Sequence, residues 1–135
     1  MPSKQTVRKA KQELREGKSP KTAAGEFVHE EIEHVRRGKH GARSPQQAIA
    51  IGLSEARRSG IPVPPPKENA STATKKKAER DLSTGRSAKS SSRRSKARLQ
   101  ALKREPKNTA SHAALSRHAK TAAKKRKNTS TRKAA

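Results

Sequence analysis

Large apolar side chains are scarce in this chain, and where they fall limits what it can fold into. Of 135 residues only 15 are Leu, Ile, Val or Phe, and 11 of these precede residue 67. Below roughly 20% of such residues, combined with a large net charge, a chain has too little apolar surface to offset the entropy of ordering itself. One large folded domain is therefore excluded, and whatever core exists belongs to the first half. Pro62 to Pro66 marks the division. Residues 1–66 hold 13 basic and 7 acidic residues, a net +6, whereas residues 67–135 hold 22 and 4, a net +18 of the total +24. The expected organisation is a helical head over residues 1–60, a proline-rich spacer over 61–66 and a basic tail over 67–135.

The head reads as three short helices. Val7, Ala10 and Leu14 share a stripe between Thr6 and Glu16 that stops at Gly17. Ser19-Pro20 supplies a capping hydroxyl and a proline at the first helical position, where its missing amide proton costs nothing. The helix behind it, about Pro20 to Arg37, aligns Ala24, Phe27 or Val28, Ile32 and Val35 and ends at Gly38. Ser44-Pro45-Gln46-Gln47 opens the third with the pattern of a capping box. Ala48, Ile49, Gly52, Leu53 and Ala56 form its apolar stripe, widened by Ile51, and Ser59-Gly60 closes it. Ile61-Pro62-Val63-Pro64-Pro65-Pro66 then runs extended. Eleven large apolar residues make a marginal core, which points to self-association or a protein partner through the head.

The tail is dominated by Lys, Arg, Ser, Ala and Thr. Leu99 and Leu102 within 92–105, and Leu115, Ala119 and Ala122 within 111–127, give two segments the makings of helices once their charges are neutralised. Like charges at i,i+4 oppose helix formation in the free chain. The expected fold class is thus all-α, with a small helical head followed by a largely disordered basic tail.

Charge then narrows the partner. A polycation of this density meets an ordered polyanion by releasing the counterions condensed on phosphates, which needs many charges and little geometry. A merely solubilising role does not account for an excess of +18 in 69 residues. Nucleic acid is the expected partner. Phe27 is the sole aromatic, so the stacking platforms of single-strand readers are missing, and duplex DNA is favoured over RNA. The absence of cysteine excludes disulfides and thiolate metal sites. No secretory signal is expected from MPSKQTVRKAKQELREG, and no run approaches the roughly 18 apolar residues of a membrane span. Without Trp or bulky apolar anchors, membrane-surface binding is not expected. Cytoplasmic, nucleoid-associated localisation follows from the same argument.

Two local patterns bear on chemistry. Gly38-Lys39-His40-Gly41-Ala42-Arg43 leads into a helix N-terminus, where glycines, basic side chains and amide donors together suit a phosphate; equally, the glycines serve to turn the chain between helices. It lacks the spacing of a nucleotide-binding P-loop. In His29-Glu30-Glu31-Ile32-Glu33-His34 the histidines are five apart, not the four of a zinc-protease helix, and i,i+4 ion pairing on an exposed face is the favoured reading. No metal, no cofactor and no catalytic grouping is expected. The expected phosphate-binding residues are Lys39, His40, Arg43, Arg57 and Arg58 in the head. In the tail they are Lys75, Lys76, Lys77, Arg93, Arg94, Lys96, Arg98, Lys103, Arg104, Lys124, Lys125, Arg126 and Lys127.

The segment GKHGARSPQQAIAIGLSEARRSGI resembles a motif shared by small basic bacterial proteins of uncharacterised function, with the core Q-A-I-A-I-(A or G)-L-S-(E or K)-A-R. Gln47 to Arg57 carries the resemblance most closely, and it extends over about residues 3–66. Some members are described as plasmid-stabilisation or DNA-binding proteins, so the resemblance implies a bacterial origin and a DNA-linked role. The tail segment ASHAALSRHAKTAAKKRK is similar in composition to the Ala/Lys-rich tails of linker histones and histone-like nucleoid proteins. Charge and resemblance together lead to the expectation of a non-enzymatic, largely sequence-independent DNA-binding protein, nucleoid- or plasmid-associated. The alternatives are an RNA- or ribosome-associated basic protein, or a protein-interaction head localised by its tail.

Overall fold

A serine precedes every helix of the head. The structure, a computed structural model, describes residues 2–66, 70–87 and 92–134. Helices α1 (Lys4–Arg15), α2 (Pro20–Arg36) and α3 (Pro45–Arg58) follow Ser3, Ser19 and Ser44, whose hydroxyl oxygens accept hydrogen bonds from the amides of Thr6, Thr22 and Gln47. Each cap satisfies one of the four amides a helix start leaves unpaired, worth about 1 kcal/mol. Ser19 and Ser44 are the caps expected from the sequence. Ser3 starts the first helix two residues before the apolar stripe indicates. Gln47 varies the capping box: its Oε1 accepts from the amide of Arg43, one residue ahead of the cap. Gly17 and Gly38, at φ +84° and +75°, end α1 and α2 in the left-handed conformation that glycine adopts without steric cost.

The stripes of these helices meet in a core built largely from alanine. Phe27 lies fully buried among Ala10, Ala23, Ala24, Ala56, Ile61 and Val63, with Val7, Leu14 and Leu53 packed around them. Small residues let the helices approach closely. At Gly52 of α3 an added Cβ would stand 2.7 Å from the Cα of Val28 on α2, so the two backbones nearly touch where they cross. Beyond α3, Ile61 and Val63 turn inward while Pro62 and Pro64 stay exposed. The Arg57 guanidinium, itself buried, donates to the carbonyls of Val63 and Pro64 at 3.2 and 3.1 Å. The proline-rich segment therefore lies along the core.

Residues beyond the prolines overturn the expectation of a disordered tail. They form α4 (Thr72–Ser87), α5 (Ser92–Lys103), a 3₁₀ turn (Asn108–Ala110) and α6 (His112–Ala134), so the described chain is all-helical through both halves. The segments 92–105 and 111–127, expected to become helical only on binding, are helical over 92–103 and 112–127 in the free chain. Residues 67–69 and 88–91 of the expected tail lie outside the described residues. The physical reason is that α4 and the 3₁₀ turn pack small side chains against the head, whereas α5 buries none of its own. Ala110 closes a second cluster with Val35, Ala42 and Ala48, against which Ile32 packs. Ala78 of α4 is buried, and Gly85 brings α4 so close to α3 that a Cβ there would collide with the Arg57 carbonyl.

Polar bonds finish the attachment. Ser54 donates to Asp81 Oδ2 at 2.6 Å, and Lys77 donates to the same oxygen at 2.9 Å and to Ser54 at 3.0 Å. The amides of Gly41 and Ala42 donate to the carbonyls of Leu102 and Pro106, both at 2.8 Å. Thr109 donates to the Ala42 carbonyl at 2.9 Å, and Arg36 Nε to the Ala110 carbonyl at 2.8 Å. No helix among the described residues is long and apolar enough to cross a membrane.

Candidate functional site

Basic side chains are spread over the outer faces of the tail helices. Lys76, Lys77, Arg93, Arg94, Lys96, Lys103, Arg104, Lys124, Lys125, Arg126 and Lys127 are exposed, and Lys75 and Arg98 are partly covered. Lys77 is held by Asp81. Helix α6 carries no acidic residue. On it Arg117, Lys120, Lys124 and Lys127 follow one another at spacings of three and four, which places them on one face.

In the head the expected phosphate residues divide. Lys39 and Arg43 are exposed and Arg58 is partly covered, whereas His40 and Arg57 are buried with internal partners. The loop amides are also engaged: those of Gly38 and Lys39 by carbonyls of α2, those of Gly41 and Ala42 by the tail, and that of Arg43 by Gln47. A Cβ on Gly41 would overlap the Glu105 carbonyl, so this glycine is required by the docking of the tail. Of the loop's expected phosphate ligands the exposed side chains are Lys39 and Arg43, the latter 3.6 Å from Glu105 Oε1. Beside them α6 adds what the sequence did not bring together: a groove of about 380 Å³ at the start of α3 is lined by Arg43, Ser44 and Gln46 on one side and by Arg117, His118 and Thr121 on the other.

A different cluster lies beneath the same loop. Glu31 of α2 is buried and faces His34, three residues on, and His40 from the loop. Glu31 Oε1 is 3.3 Å from His34 Nδ1, and Oε2 is 3.1 Å from His40 Nε2. The two imidazoles meet edge to face with centroids 5.9 Å apart. Glu30 comes within 3.6 Å of His34 Nε2 and is itself held by the Ser3 amide at 3.0 and 3.2 Å. Nearby on α3, burial and then the charge of Glu31 push the Glu55 carboxyl up to about 6. The HEEIEH pattern thus uses Glu31 and His34 inwardly. His29 is exposed, and Glu33 pairs with Arg36 and Arg37 as an exposed-face pattern predicts. His40 carried no sequence signal linking it to Glu31, because the partnership depends on the turn at Gly38.

Comparison with known proteins adds one relationship. Residues 2–67, which span α1 to α3 and the proline segment, match the model of a family of unknown function (DUF6496). No curated protein and no solved structure matches the chain.

Proposed function

We propose that this chain is a non-enzymatic, largely sequence-independent nucleic-acid-binding protein that acts on duplex DNA by neutralising phosphates, in association with a nucleoid or plasmid. The observation that carries the reading is the charge imbalance, with a net +18 placed beyond residue 66. Its disposition on α6, a 23-residue helix with basic residues and no acidic ones, supports it further. Like charges three and four residues apart repel along a free helix, and a phosphate backbone relieves that repulsion on contact. The groove between Arg43 and Arg117 offers a second place for a phosphate. His40 and Arg57, being turned inward, have no part in the contact surface.

The test is the salt dependence of binding by the full chain to a mixed-sequence duplex. Engagement of about 8 to 10 phosphates gives a slope of roughly −7 to −9 in log affinity against log salt. Replacing Lys124, Lys125, Arg126 and Lys127 together by Gln should flatten that slope by about one unit for each phosphate no longer neutralised. Affinity should vary little among unrelated duplexes, since phosphate contacts carry no base information. A flat salt response, or a clear preference for structured RNA over duplex DNA in direct competition, would overturn the reading.

A further inference from the structure

Glu31, His34 and His40 bring a buried carboxylate and two imidazoles together beneath the α2–α3 loop. His40 Nδ1 lies 2.9 Å from the Gly41 carbonyl, which can only accept, so the ring proton sits on Nδ1. That leaves the lone pair of a neutral His40 on Nε2, 3.1 Å from Glu31 Oε2. Oε2 is buried and accepts no hydrogen bond among the described residues. Two unprotonated acceptors at that distance, away from water, repel, so a cation belongs between them, either a proton that makes His40 an imidazolium paired with Glu31 or a metal ion. We propose that Glu31, His34 and His40 bind a divalent transition-metal ion of the zinc class, clamping the α2–α3 loop onto α2.

The distances suit this. Ligand bonds of about 2.0–2.1 Å in a tetrahedral site put neighbouring donor atoms about 3.3 Å apart. Glu31 Oε1 stands 3.3 Å from His34 Nδ1 and its other oxygen, Oε2, 3.1 Å from His40 Nε2, so the carboxylate spans the two imidazoles, and one donor atom from each of the three residues lies within 4.8 Å of the others. The surrounding groups also orient the ligands as metal sites require. The Gly41 carbonyl fixes the His40 ring. With Nδ1 on the metal, the proton of a neutral His34 ring sits on Nε2, which faces the Glu30 carboxylate at 3.6 Å. Two imidazoles and one carboxylate select zinc and its transition-metal neighbours over Mg²⁺ and Ca²⁺, which prefer oxygen. An open cleft of about 330 Å³ lined by Glu30, Glu33 and His34 brings solvent up to the His34 side of the cluster.

The experiment titrates the full chain, freed of nucleic acid, with Zn²⁺ in competition with a chromophoric chelator, and follows histidine side-chain nitrogens by NMR. One ion per chain should bind with a dissociation constant of about 1 μM or tighter. The resonances of His34 Nδ1 and His40 Nε2 should shift while those of His112 and His118 stay in place. Glu31→Gln or His34→Gln should weaken binding about 100-fold, and Glu30→Gln about 10-fold, with helix content unchanged by circular dichroism. His29→Ala should leave affinity unaltered. Because the NMR readout uses the unaltered protein, it decides the matter even where the Glu31 variant fails to fold. Unshifted His34 and His40 nitrogens would overturn the proposal, leaving a proton shared between His40 and Glu31 in place of the metal. Equal affinity in the Glu31 and His34 variants would overturn it as well.

Discussion

Phe27 and its ring of alanines hold the head together from within, whereas none of the large apolar residues described in the tail reaches a fully buried position. Leu82, Leu102 and Leu115 are only partly covered and Leu99 is exposed. The tail is attached instead by small residues that permit backbone contact and by hydrogen bonds that cross to the head. The head thus supplies the core on which the tail packs, and the tail returns to it only the small side chains of Ala78 and Ala110. Stability should run in one direction along the chain, and loss of the head core should release the tail helices, while loss of the tail attachment should spare the head.

The largest expected effect breaks the comparison at its source. Phe27→Ala removes the one large fully buried aromatic and should cost about 3–5 kcal/mol. Helix content measured by circular dichroism should fall in both halves together. Amide exchange that remained slow in α4 and α6 of this variant would show that the tail folds independently of the head.

Gly41→Val makes the complementary cut. Its side chain would occupy the place of the Glu105 carbonyl, and separating the two should cost about 1–3 kcal/mol. Amides of Gly41 and Ala42, along with the turn at Asn108–Ala110, should exchange faster, while α1 and the Phe27 cluster keep their protection. Uniform loss of protection across all helices would mean that head and tail are one cooperative unit.

The smallest effect concerns α4 and depends on pH. Burial acts to raise the Asp81 carboxyl, but the hydrogen bonds from Ser54 and Lys77 and the charge of Lys77 outweigh it and hold the group below its ordinary value of 3.8. A depressed carboxyl contributes stability that is fully present above its unfolded value and is lost as pH falls through the folded one. Protection of α4 should therefore decline below about pH 4 ahead of protection in α2. Asp81→Ala leaves the buried Ser54 hydroxyl short of its acceptor, should weaken α4 by about 1 kcal/mol at neutral pH, and should remove this acid step. An acid step of the same size in the variant would assign it to another carboxylate.

The head helices were legible because their signals are local. A serine hydroxyl reaching an amide three residues on, a proline at the first turn and a glycine beyond the last are all written within a few positions, as Ser19-Pro20 and Ser44-Pro45 show. Order in the tail was not legible, because counting large apolar residues undervalues contacts made by Ala78, Gly85 and Ala110. The worth of those residues lies in what they allow to come close, and that is set by a partner far along the chain. The same holds for the candidate sites. The exposed cations of the tail could be named from the sequence, yet nothing in it told Lys39 and Arg43 apart from His40 and Arg57, whose inward placement follows from Glu31 and from the carbonyls of Val63 and Pro64.

By itself the sequence determined the charge of this protein, the bounds of its first three helices to within a few residues, and the helical character of its first half, since capping, periodicity and net charge act over short range or without geometry. Only the tertiary structure decided that the basic half is ordered, that Gly41 is where it docks, and that Glu31, His34 and His40 face one another. Each of those depends on the close crossing of α2 with α3 and on the turn at Gly38, which bring together residues that no local pattern connects.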